Sequence, residues 1–493
     1  MSKLLRDFCN VGTMRLIARA LMGVRGLFIA VTLSPKDLVQ YTALLLVVFY
    51  FSFLDFGILL MLERDLPHHA AKGNFDSYEI LSSSAWMTFF ILSFASTCLM
   101  TILVGATIAK DNFYLALMLG LYFLTDKVNR AFESNSKIGL RYQETGIALL
   151  ILALVSLLLI WILLPRFGIM GVFLGSVIAS VMSTSFLAAK KPLRFSWSIQ
   201  WNTFFRHIQR ALPLFAIFYS FEAFRFTPMT AIMMRYSADQ IAPCIFAFRI
   251  VLLCFPFFPF LLQDMMKTRM FQQIAKEKTA DRQLEFLVFP IKLYALASSL
   301  FCLALYWFIP WFIGRLAPVY HDSATGIAIL SLTLLPLGIA QVCSDFLSSR
   351  LYQQTSFVFF AWLTGIVLQV ILLIAMPSNA FVINRLVPFI YLGVTFLIYL
   401  FISCFVFGRV SNLRLRFMPL FVLAPLFILI IEVFVFAKWF RITPSPLLLP
   451  NVFFFLLSSF IFLIVWTLIH LADRNKRYIT FSLSPVSFSR TVN

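Results

Sequence analysis

Long apolar stretches succeed one another along this chain, and several carry arginine or an acid well inside them. A helix that crosses a bilayer needs about 20 mostly apolar residues. By that measure about fourteen spans are present, near 8–32, 37–63, 79–106, 112–134, 143–164, 168–190, 208–234, 238–264, 284–308, 323–348, 354–376, 383–408, 417–439 and 449–472. With a mean hydropathy of +0.92 and 61% hydrophobic residues, nothing is left over to fold as a sizeable soluble domain. The expected fold is therefore all-α, a polytopic membrane protein of about fourteen transmembrane helices. No small-residue cleavage site follows the first apolar stretch, so that stretch is read as a retained span.

The short loops set an expected orientation. With the N-terminus inside, alternate loops and the tail hold roughly 24 of the loop Lys and Arg residues, against roughly 8 on the opposite side, a strong positive-inside bias. An even number of spans, with both ends cytoplasmic, satisfies it; an odd number would move Arg474, Lys476 and Arg477 to the wrong side. The net charge of +19 belongs to this bias and to attraction for anionic lipid heads, and nucleic acid is not an expected partner. The seven cysteines show no paired spacing and are read as packing residues. Neither they nor the histidines form a metal set, and no cofactor is expected. No glycine loop of the phosphate-cradling type is present, which argues against a nucleotide site.

A weak internal repeat divides the chain. Leu33-Ser34-Pro35-Lys36-Asp37-Leu38-Val39-Gln40-Tyr41 lies over Tyr236-Ser237-Ala238-Asp239-Gln240-Ile241-Ala242-Pro243-Cys244. Each stretch opens the second span of its half. The expected organisation is two pseudo-symmetric six-helix lobes, 1–207 and 208–410, followed by a terminal helix pair, 411–472, and a tail, 473–493. Six is an even number, so the lobes share one orientation about an axis along the membrane normal.

The charges inside the spans follow the repeat. Span 1 carries Arg15, Arg19 and Arg25 within about 120° of one face. Span 4 carries Asp126, Arg130 and Glu133 on a narrow face with Lys127 beside it; Asp55 is in span 2, Glu222 and Arg225 in span 7, Arg249 in span 8 and Asp345 in span 10. Each charge left facing hydrocarbon costs at least about 2.5 kcal/mol, so these helices are expected to line a central cleft. Mutual neutralisation is the alternative for Glu222 with Arg225 and for Asp126 or Glu133 with Arg130, which are spaced for intrahelical pairs. It does not serve span 1, which has no acid on the same stretch. Prolines 213, 228, 256, 259, 290 and 336 interrupt spans of the second half, where each removes a helix hydrogen bond and favours a kink.

Several segments resemble the polysaccharide-transporter branch of the multidrug/oligosaccharidyl-lipid/polysaccharide exporter superfamily, which includes O-antigen (Wzx-type) flippases. Leu33 to Tyr41 is similar to the family's L-G-P-E-x-x-G-x-Y turn, without its second glycine, and Leu54-Asp55-Phe56-Gly57-Ile58 is similar to its D-x-G element. Leu164-Pro165-Arg166-Phe167-Gly168-Ile169-Met170-Gly171 resembles the P-x-F/Y-G-x-x-G start of span 6, and Ala211-Leu212-Pro213-Leu214 resembles the start of span 7. The resemblance implies a flippase of the bacterial inner membrane, not an enzyme, moving an undecaprenyl-diphosphate-linked oligosaccharide between leaflets by alternating access. Arg15, Arg19, Arg25, Arg130, Arg225 and Arg249 would then meet the diphosphate. Asp55, Asp126, Glu133, Glu222 or Asp345 would couple transport to a cation such as H+ or Na+, and polysaccharide polymerase machinery would be a partner. A drug exporter of the same superfamily and a membrane glycan polymerase are the competing readings.

Overall fold

The computed structural model describes residues 3–71, 75–108, 112–139, 141–190, 193, 201–254, 280–350, 355–376 and 380–408. All regular structure among them is helical. The expected terminal pair, the tail and prolines 256 and 259 lie outside the described residues, as do the side chains of Asp345 and Pro290.

The helices are α1 (Lys3–Thr32), α2 (Pro35–Phe51), α3 (Ile58–Ala71), α4 (Phe75–Thr107), α5 (Phe113–Ile138), α6 (Tyr142–Lys190) and α7 (Trp201–Arg235). They continue with α8 (Ala238–Cys254), α9 (Ala280–Leu316), α10 (Ser323–Ser331), α11 (Leu334–Arg350), α12 (Thr355–Ile374) and α13 (Ala380–Gly408). Each expected span through residue 408 falls on one or two of these. Among the described residues, six stretches are long and apolar enough to cross a membrane: Pro35–Asp55, Tyr78–Thr107, Tyr142–Lys190, Ser323–Ser344, Ser356–Ile374 and Ile383–Val406. The chain is a multi-pass membrane protein. Helices α1, α5 and α7 run for 30, 26 and 35 residues. They are long enough to span, and their charges are what lower their apolarity.

Local chemistry explains the starts and breaks. Ser34 caps α2, accepting a hydrogen bond from the Asp37 amide at 3.2 Å while Pro35 takes the first turn. Asn112 caps α5 through the Leu115 amide at 3.1 Å. The expected second span is interrupted: a 3₁₀ turn covers Ser52–Asp55, and Phe56 and Gly57 then take φ of 51° and 74°. A bulky residue in the left-handed region is uncommon and costs energy, so the surrounding packing must hold it there. Gly57 meets both needs of the turn, its φ and the approach of the Phe215 backbone, whose nitrogen a Cβ would meet at 3.3 Å. Spans 5 and 6 form a helical hairpin that turns back at Gly168, where φ is 55° and ψ is −137°, and its two arms pack together, the Ser183 hydroxyl donating to the Ala148 carbonyl at 3.0 Å. Pro213 and Pro228 lie inside α7, and Pro336 sits in the first turn of α11, just after the break at 332–333.

Helix packing divides into two groups. α1 and α5 lie along α6, α4 along α5 and α3 along α4; α7 packs on α12, α8 on α10, and α13 on α10, α11 and α12. The groups meet where α2 lies against α8, α3 against α7 and α1 against α8. With lipid outside, such contacts rest on close van der Waals fit. Phe221 and Phe224 clasp Trp362 at ring distances of 4.9 and 5.1 Å. At the far end of α7, Arg235 donates to the Leu373 and Ile374 carbonyls at 2.8 and 2.5 Å, satisfying the free end of α12.

Candidate functional site

The break in span 2 creates a buried charge knot. Asp55, 5% exposed, accepts from the Lys127 ammonium of α5 at 2.6 Å, from the Tyr219 hydroxyl of α7 at 2.7 Å and from the Gly57 amide at 2.9 Å. Lys127, itself 2% exposed, also donates to the Ser52 carbonyl at 3.1 Å. Three elements, drawn from both packing groups, thus converge on one carboxylate whose oxygens are saturated. Near the start of α7, His207 extends the contact between groups: its Nε2 lies 2.9 Å from the Ser84 hydroxyl of α4. Burial, then Arg210 and Arg206, pushes the His207 ring down from 6.5 to about 4, so it is held neutral.

A second region, along the seam between α1, α2 and α8, is built differently. The Arg249 guanidinium lies 4.7 Å from the centre of the Tyr41 ring and donates from Nη1 to the Thr42 hydroxyl at 3.2 Å. Tyr41 in turn contacts Phe173 at 5.8 Å, and Phe173 contacts Tyr122 at 5.4 Å. Arg25 and Arg130 both act electrostatically on Tyr122. A Cβ on Gly26, beside Arg25, would fall 2.5 Å from Leu253, so α1 and α8 approach closely there, one turn from Arg249. The Nε atoms of Arg25 and Arg249 are shielded from water and have no hydrogen-bond partner among the described residues. A buried unpaired donor costs about 1–3 kcal/mol, and more when it carries charge. Arg130 pairs with Asp126 at 2.8 Å, and 59% of its side chain stays exposed.

The six expected arginines occupy distinct neighbourhoods. Arg25, Arg130 and Arg249 gather around the Tyr41–Phe173–Tyr122 chain. Arg15 is 3% exposed, with its guanidinium 5.7 Å from the Tyr142 ring of α6. Arg19 is half-buried on the same helix. Arg225 donates to both Glu222 oxygens at 2.7 Å, within α7 and among the rings of Phe221 and Phe226. Among the acids, Asp55 is in the knot, Asp126 faces Arg130, Glu133 faces Lys137 at 2.9 Å, and Glu222 faces Arg225. Sequence reasoning missed the roles of Lys127, Tyr219, Tyr41 and Thr42. Lys127 carried a signal, a lysine inside an apolar stretch; the others read as ordinary membrane-helix residues.

No family model matches the chain, and no curated protein does. Solved structures do. One described as the lipid II flippase MurJ in an inward closed conformation superposes with a TM-score of 0.64 at 15% identity, covering 94% of this chain and 100% of that one. An outward-facing multidrug resistance MATE family transporter of the MOP superfamily gives 0.61 at 13% identity, covering 82% and 96%. A MATE in the straight conformation gives 0.59 at 12%, covering 81% and 95%. The chain has the fold of these transporters. Identity this low carries the architecture alone; the chemistry has to come from the side chains described above.

Proposed function

We propose that this protein is a flippase that moves an undecaprenyl-diphosphate-linked oligosaccharide, an O-antigen or other surface-polysaccharide repeat unit, from the cytoplasmic to the periplasmic leaflet of the bacterial inner membrane. The observation that carries the reading is the pair of buried guanidinium edges, Arg25 and Arg249, on the seam between the packing groups, which have no hydrogen-bond partner among the described residues. A diphosphate would satisfy both with charge-assisted hydrogen bonds. The lipid tail would stay in the bilayer while the headgroup enters between the packing groups, where the exposed Arg130 could meet it. The fold similarity to a lipid II flippase over nearly the whole chain supports it.

In this reading the two packing groups are the six-helix lobes, 1–207 and 208–410, which rock against each other with both termini cytoplasmic. The protein acts as a transporter and not an enzyme, beside the polymerase machinery that consumes its product. Asp55, Asp126, Glu133 and Glu222 each face a lysine or arginine of the chain. A coupling H+ or Na+ would therefore have to displace an internal cation from one of them, or use Asp345. Reconstituted headgroup translocation tests the core of this. Arg25→Ala and Arg249→Ala should each slow transport about tenfold or more, and full rates at normal protein level would refute the cationic site.

A small-molecule exporter is the second reading, favoured by the Tyr41–Phe173–Tyr122 ring chain at the same place. Lipid analysis of a deletion strain separates the two. Flipping predicts lipid-linked repeat units accumulating on the cytoplasmic side, export predicts drug sensitivity with normal lipids, and a polymerase would leave unpolymerised units in the periplasm.

A further inference from the structure

We infer that Tyr41 and Thr42 are positioning residues for Arg249: from α2 they fix the plane of a guanidinium carried by α8, so that its Nε edge, which has no hydrogen-bond partner among the described residues, is held ready for an anion. This rests on the anion-site reading above and deepens it.

An arginine side chain has four torsions and loses up to about 2 kcal/mol of rotamer freedom when fixed. An unrestrained Arg249 on a half-buried helix face would have no single orientation to present. Here two contacts fix it. The Tyr41 ring lies under the guanidinium at 4.7 Å and sets its plane, and the Thr42 hydroxyl takes the Nη1 hydrogen at 3.2 Å and sets its rotation within that plane. Both supports are themselves fixed. Tyr41 is 4% exposed and backed by Phe173; Thr42 is 3% exposed and donates its own hydroxyl proton to the Leu38 carbonyl at 2.7 Å, leaving its oxygen as acceptor for Arg249. The remaining edge, Nε, has no partner among the described residues. Two consecutive residues of α2 therefore hold one edge of Arg249 and leave the other unengaged. α2 comes from the first half of the chain and α8 from the second, and the orientation exists only while these two helices are apposed. A sliding of α8 along α2 by one turn would release the guanidinium from its rest and weaken its hold on an anion. The anion site is thus assembled and dismantled by the relative position of these two helices.

The test uses the full-length protein in nanodiscs with undecaprenyl diphosphate as the probe, titrated for affinity. Tyr41→Leu should weaken binding about five- to tenfold, in line with a desolvated cation–π contact, and Thr42→Val by a few-fold, whereas Tyr41→Phe, which keeps the ring, should bind as the unmodified protein does. In an Arg249→Ala background Tyr41→Leu should have no further effect. If Tyr41→Leu weakens binding equally with and without Arg249, or Tyr41→Phe is as poor as Tyr41→Leu, the positioning role is wrong. Should Tyr41→Leu fail to assemble, the Thr42→Val and Tyr41→Phe arms decide by the same criteria. If Arg249→Ala itself leaves the affinity unchanged, the anion site falls, which is a different failure and is read separately.

Discussion

The knot at Asp55 and the seam at Arg249 both place charge deep inside a membrane bundle, and they treat it in opposite ways. At the knot the carboxylate receives an ammonium, a phenol and an amide, and the ammonium has a carbonyl as well. At the seam two guanidiniums keep an edge with no hydrogen bond among the described residues. Complete satisfaction ties helices together; incomplete satisfaction stores affinity for something that arrives from outside. In the flippase reading, buried charge is thus of two kinds, and only the second is offered to cargo.

Mutations can break this contrast. The largest effect is expected at Lys127→Met, which strands Asp55 without its cation and should lower stability by about 3–5 kcal/mol. Adding Asp55→Leu should restore much of it, and thermal unfolding in detergent reads both. Tyr219→Phe removes one hydrogen bond to a charged group and should cost about 1.5–3 kcal/mol by the same measurement. His207 should give the knot side a mild acid sensitivity. Its ring is depressed to about 4 in the fold and titrates near 6.5 when unfolded, so its contribution is complete above 6.5 and is lost as pH falls from 6.5 toward 4. His207→Gln should flatten that part of the stability–pH curve. Arg249→Ala closes the series, with stability expected to change by less than about 1 kcal/mol, because the lost ring contact is offset by removing an unpaired donor. If Arg249→Ala unfolds the protein as Lys127→Met does, the seam is a second structural knot and the contrast disappears.

How legible each feature was depended on the range of the interaction. Span positions follow from apolarity, a local property, and α1 to α13 fall on the expected stretches. The turn at Gly168 was legible for the same reason, since it falls at the junction between the two apolar stretches expected at 143–164 and 168–190. Pairs one turn apart could also be read: Glu222 does meet Arg225 and Asp126 does meet Arg130, while Glu133 turns to Lys137. The knot was beyond reach, since Asp55 is 72 positions from Lys127 and 164 from Tyr219. The support of Arg249 by Thr42 spans 207 positions. Spacing along one helix says which charges have a partner nearby, but not which helix will supply one from the other side of a seam.

Helix α7 touches the Asp55 knot through Tyr219 and, four turns further on, grips the last carbonyls of α12 through Arg235. It is therefore tethered at mid-length to one packing group and at its tip to the other. Two rods fastened tip to tip cannot tilt separately, so any swing that frees Tyr219 must drag α12 with it, and the proline inside α7 at 228 lies between these two anchor points. The bundle has a lever whose fulcrum is already cut into it.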